Sequence, residues 1–422
     1  MDKQQLVSEV TQHLRTKIIP FWEDLRDDEF GGYYGYMGYD LKVDKKAVKG
    51  CILNSRILWF FSRAYNELGD GQLLSEAQHA YEFMKKYCFD AENGGIYWSI
   101  TYDGKSEDTT KHTYNQAFSI YALAEYYEAS GNTEALRLAM DQFDLIETKM
   151  KDSVGYKEAL DIKFRPASND KLSENGVMAD RTMNTLLHVF EAYTNLYRVL
   201  KNADRNGLTA IVANGSAMGA HDKNSINIKG SEQRVGTQLT WIFREFAGKV
   251  WNPKLRRQEV FFDNDFNSLI DLYSYGHDIE TSWLMDYGLG VLEDQEISAL
   301  IAPITDAMAD NLIKVAYDGH SLPAECEKGV VKENRVWWVQ AETYLGFLNA
   351  SNKHPEREDY RSAVYSTWEF IKDYVVDKRE GSEWFWEVRK DGSPYEGEPI
   401  VEPWKCPYHN GRMCLETIRR LK

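Results

Sequence analysis

The chain has 422 residues, a formal net charge of −16, and 13% aromatic residues, among them 12 Trp and 26 Tyr. An acidic surface argues against nucleic acid or anionic membranes as partners, because phosphate binding needs clustered Lys and Arg. The opening MDKQQLVSEV is polar, the longest apolar runs such as ILWFF (57–61) fall far short of a bilayer span, and the five cysteines form no CxxC pair or disulfide framework. The expectation is a cytoplasmic monomer with no membrane or nucleic-acid partner.

In chain order, helical text alternates with short stretches rich in glycine and aromatics. A first helix is expected over about 3–20, followed by the marker FGGYYGY (30–36). Next come 51–68 and 73–88, joined by the breaker residues GDGQ, then NGGIYWS (93–99), then 111–130 and 134–150 joined by GNT. VGYKEAL (154–160) leads into 180–200 and 232–251. EVFFDNDFN (259–267) precedes 277–291 and 294–316. DGHSLPAE (318–325) precedes 335–350 and 358–376, and EGSEWFWEV (380–388) precedes 407–421. Taking Gly31, Gly94, Gly155, Gly319 and Gly381 as markers, the steps are 63, 61, 164 and 62, the long one holding two units plus extra chain. Self-similarity at a fixed period signals a repeated supersecondary unit.

Within each pair the first helix is apolar nearly all round and the second carries one apolar stripe, which reads as inner and outer positions. Six such pairs, the last helix pairing with the first across the closure, predict an all-α (α/α)6 barrel with short hairpin-like loops at one mouth. Closure through both chain ends makes residues 1–422 one expected domain. The stretch 201–236, rich in Gly, Asn and Ser, breaks the period and reads as a loop insertion.

The expected inner helices run in one direction, so polar groups near their starts converge at one mouth. Those groups are Arg56; His112 and Tyr114; Asn184 and His188; His277 and Glu280; Trp337, Trp338 and Glu342; and His409, in WKCPYHNGR (404–412). A cavity with a few convergent polar groups is the default candidate site. In SYGHDIE (274–280), His277 and Glu280 are spaced i, i+3 and share a helix face, so the carboxylate is expected to orient that imidazole. Pro407 suits a first helical turn, which would put His409 two residues inside the last inner helix. No HxH, HExxH or Cys/His cluster suggests a metal site.

A glycosidase would need two carboxylates at a set separation, whereas here the convergent titratable groups are mostly imidazoles. Two imidazoles on opposite sides of one carbon suit proton abstraction α to a carbonyl, which the open-chain form of an aldose provides at C2. Arg56 and neighbouring donors would stabilise the enediolate.

At this point RILWF (56–60), KHTYN (111–115), SENG (173–176), MNTLLH (183–188), SYGHDIE, RVWWVQAE (335–342) and WKCPYHNGR resemble the signature segments of cellobiose 2-epimerases. These belong to the N-acylglucosamine 2-epimerase superfamily of (α/α)6 barrels, and the resemblance runs from LRDDE (25–29) to the last helix. It implies reversible C2 epimerisation of the reducing-end glucose of β-1,4-linked disaccharides, with no cofactor and no metal. It further implies that His277 and His409 form the acid/base pair with His188 as a third imidazole, and that Arg56 and Asn184 contact oxygens around C1 and C2. Trp337, Trp338 and Trp404 would hold the sugar rings, with Tyr114, Glu280 and Glu342 as polar neighbours. The longer 201–236 stretch departs from the family pattern. Competing readings are a monosaccharide or N-acylglucosamine 2-epimerase or an aldose–ketose isomerase on the same fold, more remotely a glycoside hydrolase, and a non-catalytic carbohydrate-binding protein.

Overall fold

The computed structural model describes residues 2–173, 175–211 and 226–422. Among the described residues, twelve helices alternate between an outer and an inner ring, giving the (α/α)6 barrel. The outer helices are α1 (Lys3–His13, running on through Leu14–Ile18 and Ile19–Glu23), α3 (Gly71–Phe83), α5 (Thr133–Leu145), α7 (Ile228–Glu245), α9 (Gln295–Val315) and α11 (Glu358–Phe370). The inner helices are α2 (Cys51–Leu68), α4 (Thr113–Ser130), α6 (Met183–Arg205), α8 (Tyr275–Leu292), α10 (Trp337–Lys353) and α12 (His409–Leu421). Helix α12 packs on α1 and α2 and closes the ring.

Burial follows from sequence as the two-ring reading requires. In α4 every residue from Thr113 to Tyr126 is buried, whereas in α5 the buried set is the stripe Ala135, Leu136, Leu138, Ala139, Met140, Gln142 and Phe143. Each large apolar side chain so enclosed contributes roughly 1.5–3 kcal/mol, so the inner ring is where most of the stabilisation lies.

Inner and outer helices are joined by a compact device. Gly69 and Gly131 end α2 and α4 in the left-handed region (φ 70° and 69°), and Asp70 and Asn132 immediately cap the next helix by accepting from backbone N–H groups. Each cap of this kind is worth about 1 kcal/mol. Glu293 and Asp294 do the same between α8 and α9, with Glu293 at φ 60°. Between α6 and α7 the turn is replaced by residues 206–227, so the expected insertion is shorter at both ends than 201–236. Residues 201–205 finish α6, Ala210–Ile211 pairs with Ile226–Asn227, and 228–236 open α7. The remainder of that expectation, 212–225, lies outside the described residues.

One mouth is ringed by short antiparallel pairings that link each unit to the next. Lys49–Gly50 pairs with Ser99–Ile100, Lys111–His112 with Ala159–Leu160, Arg181–Thr182 with Phe261–Phe262, Leu272–Tyr273 with Glu327 and Cys326, and Arg335–Val336 with Glu387–Val388. A bridge between Met37 and Val401 closes the circle. Four of these strands carry a buried cation two residues before the inner helix, tied to an aspartate at the turn after the preceding outer helix. The pairs are Lys49–Asp27 (2.6 Å), Lys111–Asp90 (3.1 Å), Arg181–Asp152 (2.9 Å) and Arg335–Asp318 (2.5 Å). These pairs are the physical content of the sixty-residue markers: they pin the starts of the inner helices to the mouth, where the candidate site lies. In the fourth unit Asn252 and Tyr273 occupy the two positions, so cation and anion are lost together.

Candidate active site

Every inner helix begins at the hairpin mouth, so the first turns of all six face one compartment. The last begins at His409 itself, with Pro407 just before it, so His409 is the first helical residue and not the third. The side chains that meet there are Arg56, Tyr114, His188, His277, Trp338 and His409, with Glu191, Glu280, Glu342 and Arg412 as their partners.

The three imidazoles share one design: Nδ1 is engaged and Nε2 has no hydrogen bond among the described residues. His409 Nδ1 is 2.7 Å from Glu342 Oε1, His188 Nδ1 is 2.8 Å from Glu191 Oε2, and His277 Nδ1 is 2.7 Å from the Ser274 hydroxyl. A carboxylate facing Nδ1 selects the tautomer whose lone pair is on Nε2. His277 and His409 come from different helices, yet both lean on one indole, with ring centroids 4.8 and 5.4 Å from Trp338. Gly276 permits this, since a Cβ there would lie 2.6 Å from the Trp338 ring.

Glu280 does not orient His277 as the i, i+3 spacing suggested. It takes a hydrogen bond from Arg412 Nη2 (2.5 Å) and lies 3.9 Å from His409 Nδ1, while the Ser274 hydroxyl one turn earlier holds His277. The reason is Arg412, whose buried guanidinium also donates to Glu342 Oε1 (2.8 Å), Glu191 Oε1 and the Tyr408 hydroxyl. One cation thus joins the carboxylates that hold His188 and His409. Sequence reasoning missed Arg412, Glu191, Tyr408, Ser274 and Gly276. The argument made for Arg56, that a guanidinium in apolar text needs partners, applied equally to Arg412 three residues after His409. Glu191 stands at the same i+3 spacing from its histidine.

Arg56 reaches no carboxylate among the described residues. Its Nη2 meets the Tyr114 hydroxyl (2.6 Å), its Nη1 the Trp404 carbonyl (3.4 Å) and Cys406 Sγ (3.7 Å), and its Nε is unpaired. The guanidinium lies 4.2 Å from the Phe118 ring centroid and 4.8 Å from that of Tyr408. Asn184 Oδ1, Glu280 Oε2 and Trp337 Nε1 are likewise buried and unpaired among the described residues. Such groups cost free energy unless something fills their valence, and a polyhydroxylated ligand would. Trp338 and Trp404 are part-exposed, whereas Trp337 is 3% exposed and packs under the His409 ring. His112 is sealed behind Trp98, its ring 5.0 Å away.

Electrostatics follow from burial. Burial pushes His277 down to about 3, helped by the neighbouring His188. His409 is held well below its ordinary value by burial and by Arg412 and Arg56, and His188 is lowered by burial despite Glu191. Burial would raise Glu191, yet Arg412 and His188 hold it at about 2. Glu280 is pushed well up by burial and by Glu342, and Glu342 is raised by burial against the pull of Arg412. All three imidazoles are therefore neutral near pH 7 and able to accept a proton at Nε2.

Among the described residues, Glu280, Glu342 and His409 bring ligand-type atoms within 4.8 Å of one another. Arg412 already donates to both carboxylates, so a divalent cation there would face a guanidinium at close range. The donor set suits an ion-pair network better than a metal. No helix among the described residues is long and apolar enough to cross a membrane.

A ring of anchored imidazoles inside an (α/α)6 barrel defines a class, and the comparisons agree: the sequence profile of N-acylglucosamine 2-epimerases matches residues 32–410, and the chain belongs to that family. It is 51% identical over 410 residues to a cellobiose 2-epimerase of Eubacterium cellulosolvens, covering 97% of both chains. It is 46% identical over 415 residues to one from Ruminococcus albus, covering 98% of this chain and 99% of the relative. The solved cellobiose 2-epimerase of Bacillus thermoamylovorans superposes with a TM-score of 0.88 at 42% identity, covering 99% of this chain and all of the other.

Proposed function

We propose that the chain is a carbohydrate 2-epimerase of the cellobiose type, inverting C2 of the reducing-end glucose in β-1,4-linked disaccharides, so that cellobiose gives glucosyl-mannose and lactose gives epilactose. The observation that carries this reading is the pair His277 and His409, brought from α8 and α12 to one indole, each with Nδ1 engaged and Nε2 untied.

After ring opening, Nε2 of one imidazole takes the C2 proton from one face of the aldehyde, and the electron pair moves onto O1. The enediolate charge meets Arg56, a cation with no carboxylate partner among the described residues, and the amide of Asn184. The opposite imidazole, neutral at the outset, takes up the O1 hydroxyl proton as the ring opens while O5 is protonated from solvent, and then gives that proton to the other face of C2. His188, tied to Glu191, is placed to handle oxygens beside the reacting carbon. Acid–base assistance of this kind supplies roughly 10²–10⁴ in rate, and electrostatic stabilisation of the enediolate supplies much of the rest. Trp338 and Trp404 present the stacking faces, and Tyr114, Glu280 and Glu342 act through Arg56, Arg412 and His409.

Epimerisation of cellobiose in heavy water tests this. Deuterium at C2 of the product mannose unit is expected. Product without label would refute exchange through the imidazoles, and deuterium at C1 of a ketose product would mark an aldose–ketose isomerase instead.

A further inference from the structure

Trp404 is the one candidate stacking ring that stands outside a helix, in the segment VEPWKCPYH before α12. Something other than helix geometry must fix it. Three contacts dock the segment on the start of α2: a Cβ on Gly50 would lie 3.0 Å from Pro403, and Arg56 Nη1 donates to the Trp404 carbonyl and to Cys406 Sγ. The fourth restraint is the side chain of Glu402. Its Oε1 accepts from the backbone N–H of Trp404 (2.7 Å) and of Lys405 (3.1 Å), folding the turn on itself. The Trp404 ring then stands 5.6 Å from Trp98 and 5.8 Å from Tyr114.

We propose that Glu402 is a positioning residue that sets the sugar-binding face of Trp404 by clamping its backbone N–H. The inference rests on the stacking role read for Trp404 above. Arg56 holds the carbonyl side of the same residue, so Glu402 and Arg56 fix Trp404 from both ends. Charge-assisted acceptance is shorter and about twice as strong as neutral acceptance, so the clamp tightens when Glu402 ionises. The charged groups facing it are Arg56 from α2 and Glu398 from its own loop, while Lys405 turns away to Glu383. Burial pushes Glu402 up to about 7, against the two N–H groups and Arg56, so its ionisation spans the neutral range. KM for the disaccharide should therefore fall as pH rises from 6 to 8, with kcat little affected by this group.

The experiment compares kcat and KM on cellobiose at pH 6, 7 and 8 for the wild type, Glu402→Gln, Glu402→Ala and Trp404→Ala, with melting temperatures as a folding control. Glu402→Ala should raise KM about tenfold at pH 8 with kcat within about twofold, the loss expected for a charge-assisted bond. Glu402→Gln keeps an acceptor oxygen and should restore most of the affinity while abolishing its pH dependence. An unchanged KM in Glu402→Ala beside a raised KM in Trp404→Ala would overturn the clamp and leave the stacking role standing. An unchanged KM in both would overturn the role of Trp404 and the clamp with it. A pH-dependent KM persisting in Glu402→Gln would assign that titration to another group and overturn the proposal.

Discussion

The two ends of the barrel axis use the same residue types to opposite effect. At the mouth end, Glu191, Glu280 and Glu342 share the single guanidinium of Arg412, with histidines between them. At the far end, where the inner helices finish, Glu125 receives Arg63 and Arg198, and Glu416 receives Arg419 and Arg420. The consequences are visible in the charges. Burial would raise Glu125, but Arg198 and Arg63 hold it below its ordinary value; Arg420 and Arg419 do the same for Glu416. At the mouth Glu191 is likewise held down, by Arg412 and His188, but Glu280 and Glu342 are pushed up. Helix polarity favours the division, since cations are stabilised at C-terminal ends and anions at N-terminal ends. Between the ends lies a small cavity lined by Arg63, Glu125, Thr194, Arg198 and Arg412. Two guanidiniums on each of these buried acids make the far end a closed clamp. Their scarcity at the mouth leaves acids and imidazoles with valences to give to a substrate.

The sharpest way to break this contrast is to cut each end in turn. His277→Ala or His409→Ala should lower turnover by about 10³-fold with little change in melting temperature. Glu125→Gln leaves Arg63 and Arg198 short of a buried anion, so it should cost about 3 kcal/mol of stability while turnover stays within about twofold. Kinetics on cellobiose and calorimetry on the same preparations read both quantities. If the far-end variant lost turnover without losing stability, the separation of roles between the two ends would be wrong.

A smaller effect sharpens the account of the mouth. Gly276→Ala places a methyl group 2.6 Å from the Trp338 ring, against which His277 and His409 both lean. The indole must move, and kcat/KM should fall about tenfold, because misplacing reacting groups by an ångström is enough for such losses. A crystal structure of the variant should show Trp338 displaced, and an unaltered kcat/KM would remove the indole from its organising part.

Much of this was legible in the sequence because periodicity is a backbone property. The helix expected at 51–68 forms at those bounds, and Gly69–Asp70 and Gly131–Asn132 announced the turns. The sixty-residue markers were legible as a repeat, although their cause, the Asp–Lys and Asp–Arg pairs at the mouth, was not. Of the candidate residues, Arg56 meets Tyr114, Tyr114 meets His188, and Glu280, Glu342 and Trp338 gather at His409, with His277 across the indole. What the sequence could not convey is which carboxylate meets which imidazole. Spacing along α8 made Glu280 the partner of His277, but the choice is settled by Arg412, 132 residues further on. Trp337 and Trp338 are adjacent in sequence and both rings touch that of His409, yet Trp337 is buried and Trp338 is part-exposed. Adjacent positions on a helix point about 100° apart, and composition says nothing of which faces inward.

The smallest effect separates the two ends by acid. His277 is held at about 3 in the folded protein and returns to about 6.5 when unfolded. The unfolded chain therefore binds the extra proton between those values, and the stability tied to His277 is complete above pH 6.5 and is lost progressively below it. Glu125 is lowered below 4.5, so its contribution is intact until the pH falls beneath that value. His277→Gln and the wild type should accordingly differ in melting temperature by an amount that changes between pH 7.5 and 5, the variant gaining up to about 2 kcal/mol relative to the wild type. In a barrel of this size that is a shift of a few degrees. The difference between Glu125→Gln and the wild type should stay constant over the same interval. Parallel melts at four pH values decide it: a flat difference for His277→Gln would mean that the imidazole keeps its ordinary pKa in the folded state, and the desolvation of the mouth that lowers it would be refuted.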